Sequence, residues 1–155
     1  MVTILWCLKK KGGMEFIEPS SNLADAYLNK AQDYLESLYK EDNRDWKSAK
    51  AYYTMYFSLY SVFMKIGVKC EIHSCSLEFM KQFLSYFFTE EDFGLISDAF
   101  RSRVDAQYYV NRIVTDEVYE KTVAKAPYFM LKCKNIAGEI DEKKIEEIRK
   151  NVKNY

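Results

Sequence analysis

SAKAYYTMYFSLYSVFMKIGVKCEIHSCSLEFMKQF, residues Ser48–Phe83, decides the fold. Its first half repeats apolar residues at helical spacing, which predicts a helix over about Asp45–Ile66. Ala49, Tyr53, Tyr56, Tyr60 and Phe63 fall on one side, and Met55, Leu59, Val62 and Ile66 on another. A helix apolar nearly all round is either central in a bundle or shared with a second subunit, and the extent of its apolar surface makes a homodimer the expected state. Tyr53, Tyr56, Tyr60 and Phe63 are the expected interface anchors, since aromatic rings bury large areas and favour contacts. Gly67 suits the left-handed position that ends a helix. The only histidine, His73, follows, and then Leu77, Met80, Phe83, Leu84 and Phe87 predict a helix over Ser74–Phe88.

Working outward, the same periodicity recurs. Pro19-Ser20-Ser21-Asn22 is a helix start, and Leu23, Tyr27, Ala31, Tyr34 and Leu38 continue it. Thr89-Glu90-Glu91-Asp92 caps a helix through Phe93, Ile96, Phe100, Val104 and Tyr108. Thr115 starts another along Val118, Thr122, Ala126, Phe129 and Cys133, with a kink expected at Pro127 and an end at Gly138. Asp141–Tyr155 carries Ile145, Ile148, Val152 and Tyr155 on one stripe. Near the N-terminus, Thr3–Leu8 and Met14–Ile17 flank Gly12-Gly13, which reads either as a β-hairpin or as a loose arm. The expected organisation is an arm or hairpin over 1–19, a helical bundle over 20–138 and an amphipathic helix over 139–155 packed on it. The fold class is all-α, an up-and-down bundle of about five to six helices.

A chain of 155 residues is long enough for one domain with its own core. With 23 basic and 23 acidic side chains the net charge is zero, which gives no support to non-specific RNA binding, a property driven by basic excess. No apolar run is long enough to span a bilayer, so no membrane partner is expected. The start lacks the order of a signal peptide, which makes the cytoplasm the expected location. Cys7, Cys70, Cys75 and Cys133 are then expected as reduced thiols. Either Met1 or Met14 can serve as the native start.

Ala51-Tyr52-Tyr53, His73-Ser74 and the Arg101–Tyr109 segment RSRVDAQYY together resemble one branch of the HEPN family of small prokaryotic helical proteins, over roughly Asn22 to Asn135. The resemblance implies a helical bundle that often dimerises, and a minimal nucleotidyltransferase as partner in a toxin–antitoxin-type or nucleotide-sensing pair. Family nucleases carry an arginine, four to six residues, then a histidine. Arginine clamps phosphate and histidine moves protons near neutral pH. Here, after four intervening residues, Ala106 follows Arg101 and Tyr108 follows Arg103. Neither serves as a base at neutral pH. The resemblance therefore implies a non-catalytic module, with no catalytic residue and no cofactor. The alternative is a divergent ribonuclease toxin that brings Arg101 or Arg103 to His73 through the fold. Tyr108 stands where some relatives carry a tyrosine that the partner enzyme adenylylates.

Arg101, Asp105, Tyr108 and Arg112 share helical spacing, so Arg101 and Arg112 are candidates to hold a phosphate; the simpler reading is an Arg101–Asp105 ion pair on a solvated face. Arg103 joins this set as a phosphate-binding candidate. His73 caps the following helix, lines a groove with Lys69 and Tyr52, or joins Cys70 and Cys75 as a weak zinc candidate without a fourth ligand. There is no phosphate loop and no nucleophile elbow.

Overall fold

The structure, a computed structural model, describes residues 2–155. In chain order it runs α1 (Ile4–Lys9), β1 (Met14–Phe16), α2 (Ser21–Tyr39), α3 (Arg44–Ile66), β2 (Val68–Cys70), α4 (His73–Phe83), α5 (Glu90–Tyr108), α6 (Asp116–Glu139) and α7 (Glu142–Lys153). The result is an all-α helical bundle with one small pair of strands.

Local chemistry sets most boundaries. The Ser20 hydroxyl accepts from the Leu23 N–H, the Asn43 side chain from Trp46, the Thr115 hydroxyl from Val118 and the Asp141 carboxylate from Lys144. Thr89 and Asp92 cap each other's free N–H groups at the start of α5. Gly67 ends α3 at φ 85°, where a Cβ would lie 2.5 Å from the Ile17 carbonyl oxygen. Gly138 does not end α6. The helix continues past it to Glu139, because Ile136, Ala137 and Ile140 are buried and keep the last turn packed. Pro127 sits inside α6, which runs on through it.

α3 is the central element, packed against α2, α5 and α6 and touched by β2 and α7. That answers the question its apolar circumference posed. Tyr56, Tyr60 and Phe63 are buried within one chain, and Tyr53 is half-buried against Tyr34 and Phe57. The interface role expected of these rings is corrected for Tyr56, Tyr60 and Phe63, which neighbouring helices of the same chain already cover.

Two other expectations change. Thr3–Leu8 is not a strand: Ile4–Leu8 belong to α1, which the Thr3 hydroxyl caps. β1 pairs instead with β2, antiparallel, with Met14 opposite Cys70 and Phe16 opposite Val68. Gly13 lies so close to the Cys7 carbonyl that a Cβ there would sit 1.9 Å from its oxygen. The predicted Ser74–Phe88 helix stops at Phe83. Beyond it the chain turns inward, the Phe87 and Phe88 N–H groups bond the Leu84 carbonyl, and Phe88 stacks on Phe129 of α6.

The cysteines bring the largest correction. Cys7 and Cys75 form a disulfide between α1 and α4, with Cα atoms 5.7 Å apart and 68 residues between them in sequence. Only Cys70 and Cys133 are free thiols, and both are buried. Nothing local marks such a pair; the packing of α1 on α4 creates it. Since the Cys75 sulfur is bonded to Cys7, the set Cys70, His73 and Cys75 no longer offers three metal ligands.

Candidate functional site

Three elements converge on His73. α3 supplies Tyr52 and Tyr56 from successive turns, β2 and Glu71-Ile72 carry the chain to the first residue of α4, and α5 lays Phe100 and Arg103 alongside. The His73 ring stacks on Tyr56 at 4.1 Å between centroids with planes 8° apart. Its Nδ1 shares a 2.7 Å hydrogen bond with the Tyr52 hydroxyl. The Tyr56 hydroxyl bonds that of Ser76, 3.0 Å away. This arrangement holds the imidazole in one orientation and commits one of its two nitrogens.

Arg103 is the charge that faces this cluster. Its guanidinium lies over the rings of Tyr52 and Tyr53, at 5.8 and 5.2 Å, and over Tyr108 at 6.0 Å. Its Nε donates to the Gln107 side chain at 3.0 Å. Burial, then the Arg103 charge, brings His73 down to about 4, so the ring is neutral at neutral pH. Burial pushes the Tyr52 and Tyr56 phenols well up, which keeps both protonated.

The other candidates separate. Arg101 is exposed and lies 3.8 Å from Asp98, not beside Asp105. Asp105 pairs with Arg112 at 3.4 Å, and Arg112 lies 3.7 Å over the ring of Tyr109. Arg101, Asp105 and Arg112 do line one groove of about 510 Å³ between α4 and α5, floored by Leu77, Phe93 and Phe100. Both arginines there face a carboxylate, so neither is a free anion clamp. Lys69 pairs with Glu71 at 2.9 Å, and both side chains are exposed. Tyr108 is exposed at the end of α5, rather than on an inner line. Among the described residues no group of three or more His, Cys, Asp or Glu side chains is placed to hold a metal ion.

No family model matches the chain, and no curated protein matches it. The geometry alone therefore ranks the surfaces.

One surface escaped the sequence reading. Between α5 and α6, Val110 is fully exposed and Ile113 is 89% exposed, with Tyr108 and Tyr109 beside them. Trp46, on the first turn of α3, is also exposed and borders the same end of the bundle with Tyr108 and Gln107. Arg44 anchors the turn: it donates to the Val114 carbonyl at 3.0 Å, pairs with Asp116 at 2.7 Å and covers the ring of Tyr119. The run Tyr-Tyr-Val-Asn-Arg-Ile-Val, with no glycine or proline, signals apolar residues in a connection rather than in a helix stripe. No described helix is long and apolar enough to cross a membrane.

Proposed function

We propose that this chain is a non-catalytic, HEPN-like interaction module of the cytoplasm that pairs with a minimal nucleotidyltransferase through the turn between α5 and α6. The observation that carries the reading is the set of apolar side chains at that turn, above all Val110 and Ile113, held out by the Arg44 anchor. Contiguous apolar surface of this kind marks contact sites more often than it marks a free face. The sequestered His73 supports the non-catalytic half of the reading, since its ring is stacked and hydrogen-bonded. Tyr108, exposed beside the turn, is the residue within reach of a partner's adenylylating centre in such a pairing.

Co-expression with a minimal nucleotidyltransferase, followed by light scattering on the purified product, tests the reading. The expected result is a stoichiometric complex that the V110D/I113D double substitution abolishes while the helical spectrum stays unchanged. A complex indifferent to that substitution, or a homodimer of this chain alone that it splits, counts against the pairing.

The divergent ribonuclease reading has one observation in its favour: Arg103 lies over the ring of Tyr52, whose hydroxyl holds His73. Arg101 contributes nothing to that cluster, since it faces Asp98. Purified protein that cleaves RNA, with cleavage lost in Arg103→Ala, would favour this second reading over the first.

A further inference from the structure

The structure points to a second control on this molecule, independent of the pairing above. We propose that the Cys7–Cys75 bond is a redox latch: its reduction releases α1 from α4, frees Val2 from the lining of the α4–α5 groove and leaves the rest of the bundle folded.

α1 is six residues long, too short to persist as a helix in water without tertiary support. That support is thin. Only Ile4 and Cys7 are buried on it, while Leu5 and Trp6 face outward. It packs chiefly on α4 and on β1. Of its two buried side chains, one is itself the tether. α1 adds Ile4 and Cys7 to the core, with Leu8 packed against it, but the central α3 is enclosed by α2, α5 and α6. Breaking the bond therefore removes a large part of what holds α1 and little of what holds the core.

Release reaches further than the N-terminus. Val2 lines the groove between α4 and α5 together with Ser74, Leu77, Phe100 and Arg101. Cys75 also lies in the first turn of α4, two residues from His73. The latch thus ties part of the groove lining and the turn that carries His73 to one bond. The other two cysteines stand apart from it: the Cys70 thiol donates to the Ile72 carbonyl, and Cys133 is fully buried in α6.

The step balances with a dithiol reductant. Two electrons and two protons pass to the Cys7–Cys75 bond, which breaks to two thiols, and the reductant's two thiols close into a disulfide. Both cysteines are buried, so the reductant enters when α1 lifts transiently.

Native-state hydrogen exchange on the full chain, with and without dithiothreitol, tests the latch. Reduction is verified by alkylation, which should add two labelled thiols at Cys7 and Cys75. The expected result is that the Cys7 and Lys10 amides, which bond the Thr3 and Trp6 carbonyls, exchange at least about tenfold faster on reduction. Amides of α3 should keep their protection. The C7A/C75A double variant should show the same loosened α1 without reductant. Unchanged α1 exchange in either form overturns the proposal, as does loss of α3 protection in step with α1. A bond that resists dithiothreitol in the folded protein overturns it as well.

Discussion

Burial and the neighbouring Arg103 charge set the behaviour of His73. Its folded value lies near 4, against an ordinary value of 6.5. Between these two, the unfolded chain takes up a proton that the folded chain refuses. The contribution of His73 to stability is therefore fully present above about pH 6.5 and is lost as the pH falls towards about 4. Because the chain has one histidine, its ring protons can be followed by NMR without assignment. In Arg103→Leu the midpoint should rise from about 4 but stay below 6.5, since burial remains the larger cause. A midpoint unmoved by that substitution would show that the guanidinium charge does not reach the ring. As a lone titratable group near a helix start, His73 was legible in the sequence. Tyr52 and Arg103 were suggested as its neighbours only by the family resemblance, and the Tyr56 ring on which it stacks was not suggested at all, because spacing along the chain does not show which side chains of α3 and α4 meet.

At the scale of elements, the polar caps were readable because they act within one turn. Ser20, Thr89, Thr115 and Asp141 each bond an N–H three residues on, a geometry local enough to be written in sequence. The glycines show the limit of local reading. Gly67 and Gly138 both stand near predicted helix ends, yet only Gly67 adopts positive φ. Gly67→Ala should cost at least about 2 kcal/mol, from left-handed strain and the clash with the Ile17 carbonyl. Gly138→Ala meets open space inside a helix and should stabilise by about 0.5–1 kcal/mol. Urea unfolding of the two variants checks both signs, and a destabilised Gly138→Ala would contradict the placement of Gly138 within α6. The shortened α4 has the same lesson. Its apolar spacing continues to Phe87, but Phe88 is drawn inward to Phe129, and that contact outweighs the pattern.

For the whole molecule, closure depends on a charged residue of the C-terminal helix. Arg149 of α7 donates to the carbonyls of Ile17, Ile66 and Gly67, at 3.0, 3.2 and 2.7 Å. One guanidinium thus ties the C-terminal helix to the end of α3 and to the chain leaving β1, with Phe16 stacked beside it. Arg149→Met keeps much of the stem but removes these donors, and should cost about 2 kcal/mol or more in chemical denaturation. A cost within experimental error would mean that water replaces the guanidinium at all three carbonyls. By itself the sequence determined the helical class, the long apolar helix α3 and most helix starts, because periodicity and capping are set by residues within a turn or two of each other. The tertiary structure alone decided which strand β1 joins, that Cys7 meets Cys75, that the α3 rings turn inward within one chain and that the α5–α6 turn faces outward. Those outcomes depend on contacts between residues far apart in the chain, and spacing along a single helix carries no information about which distant surface will cover it.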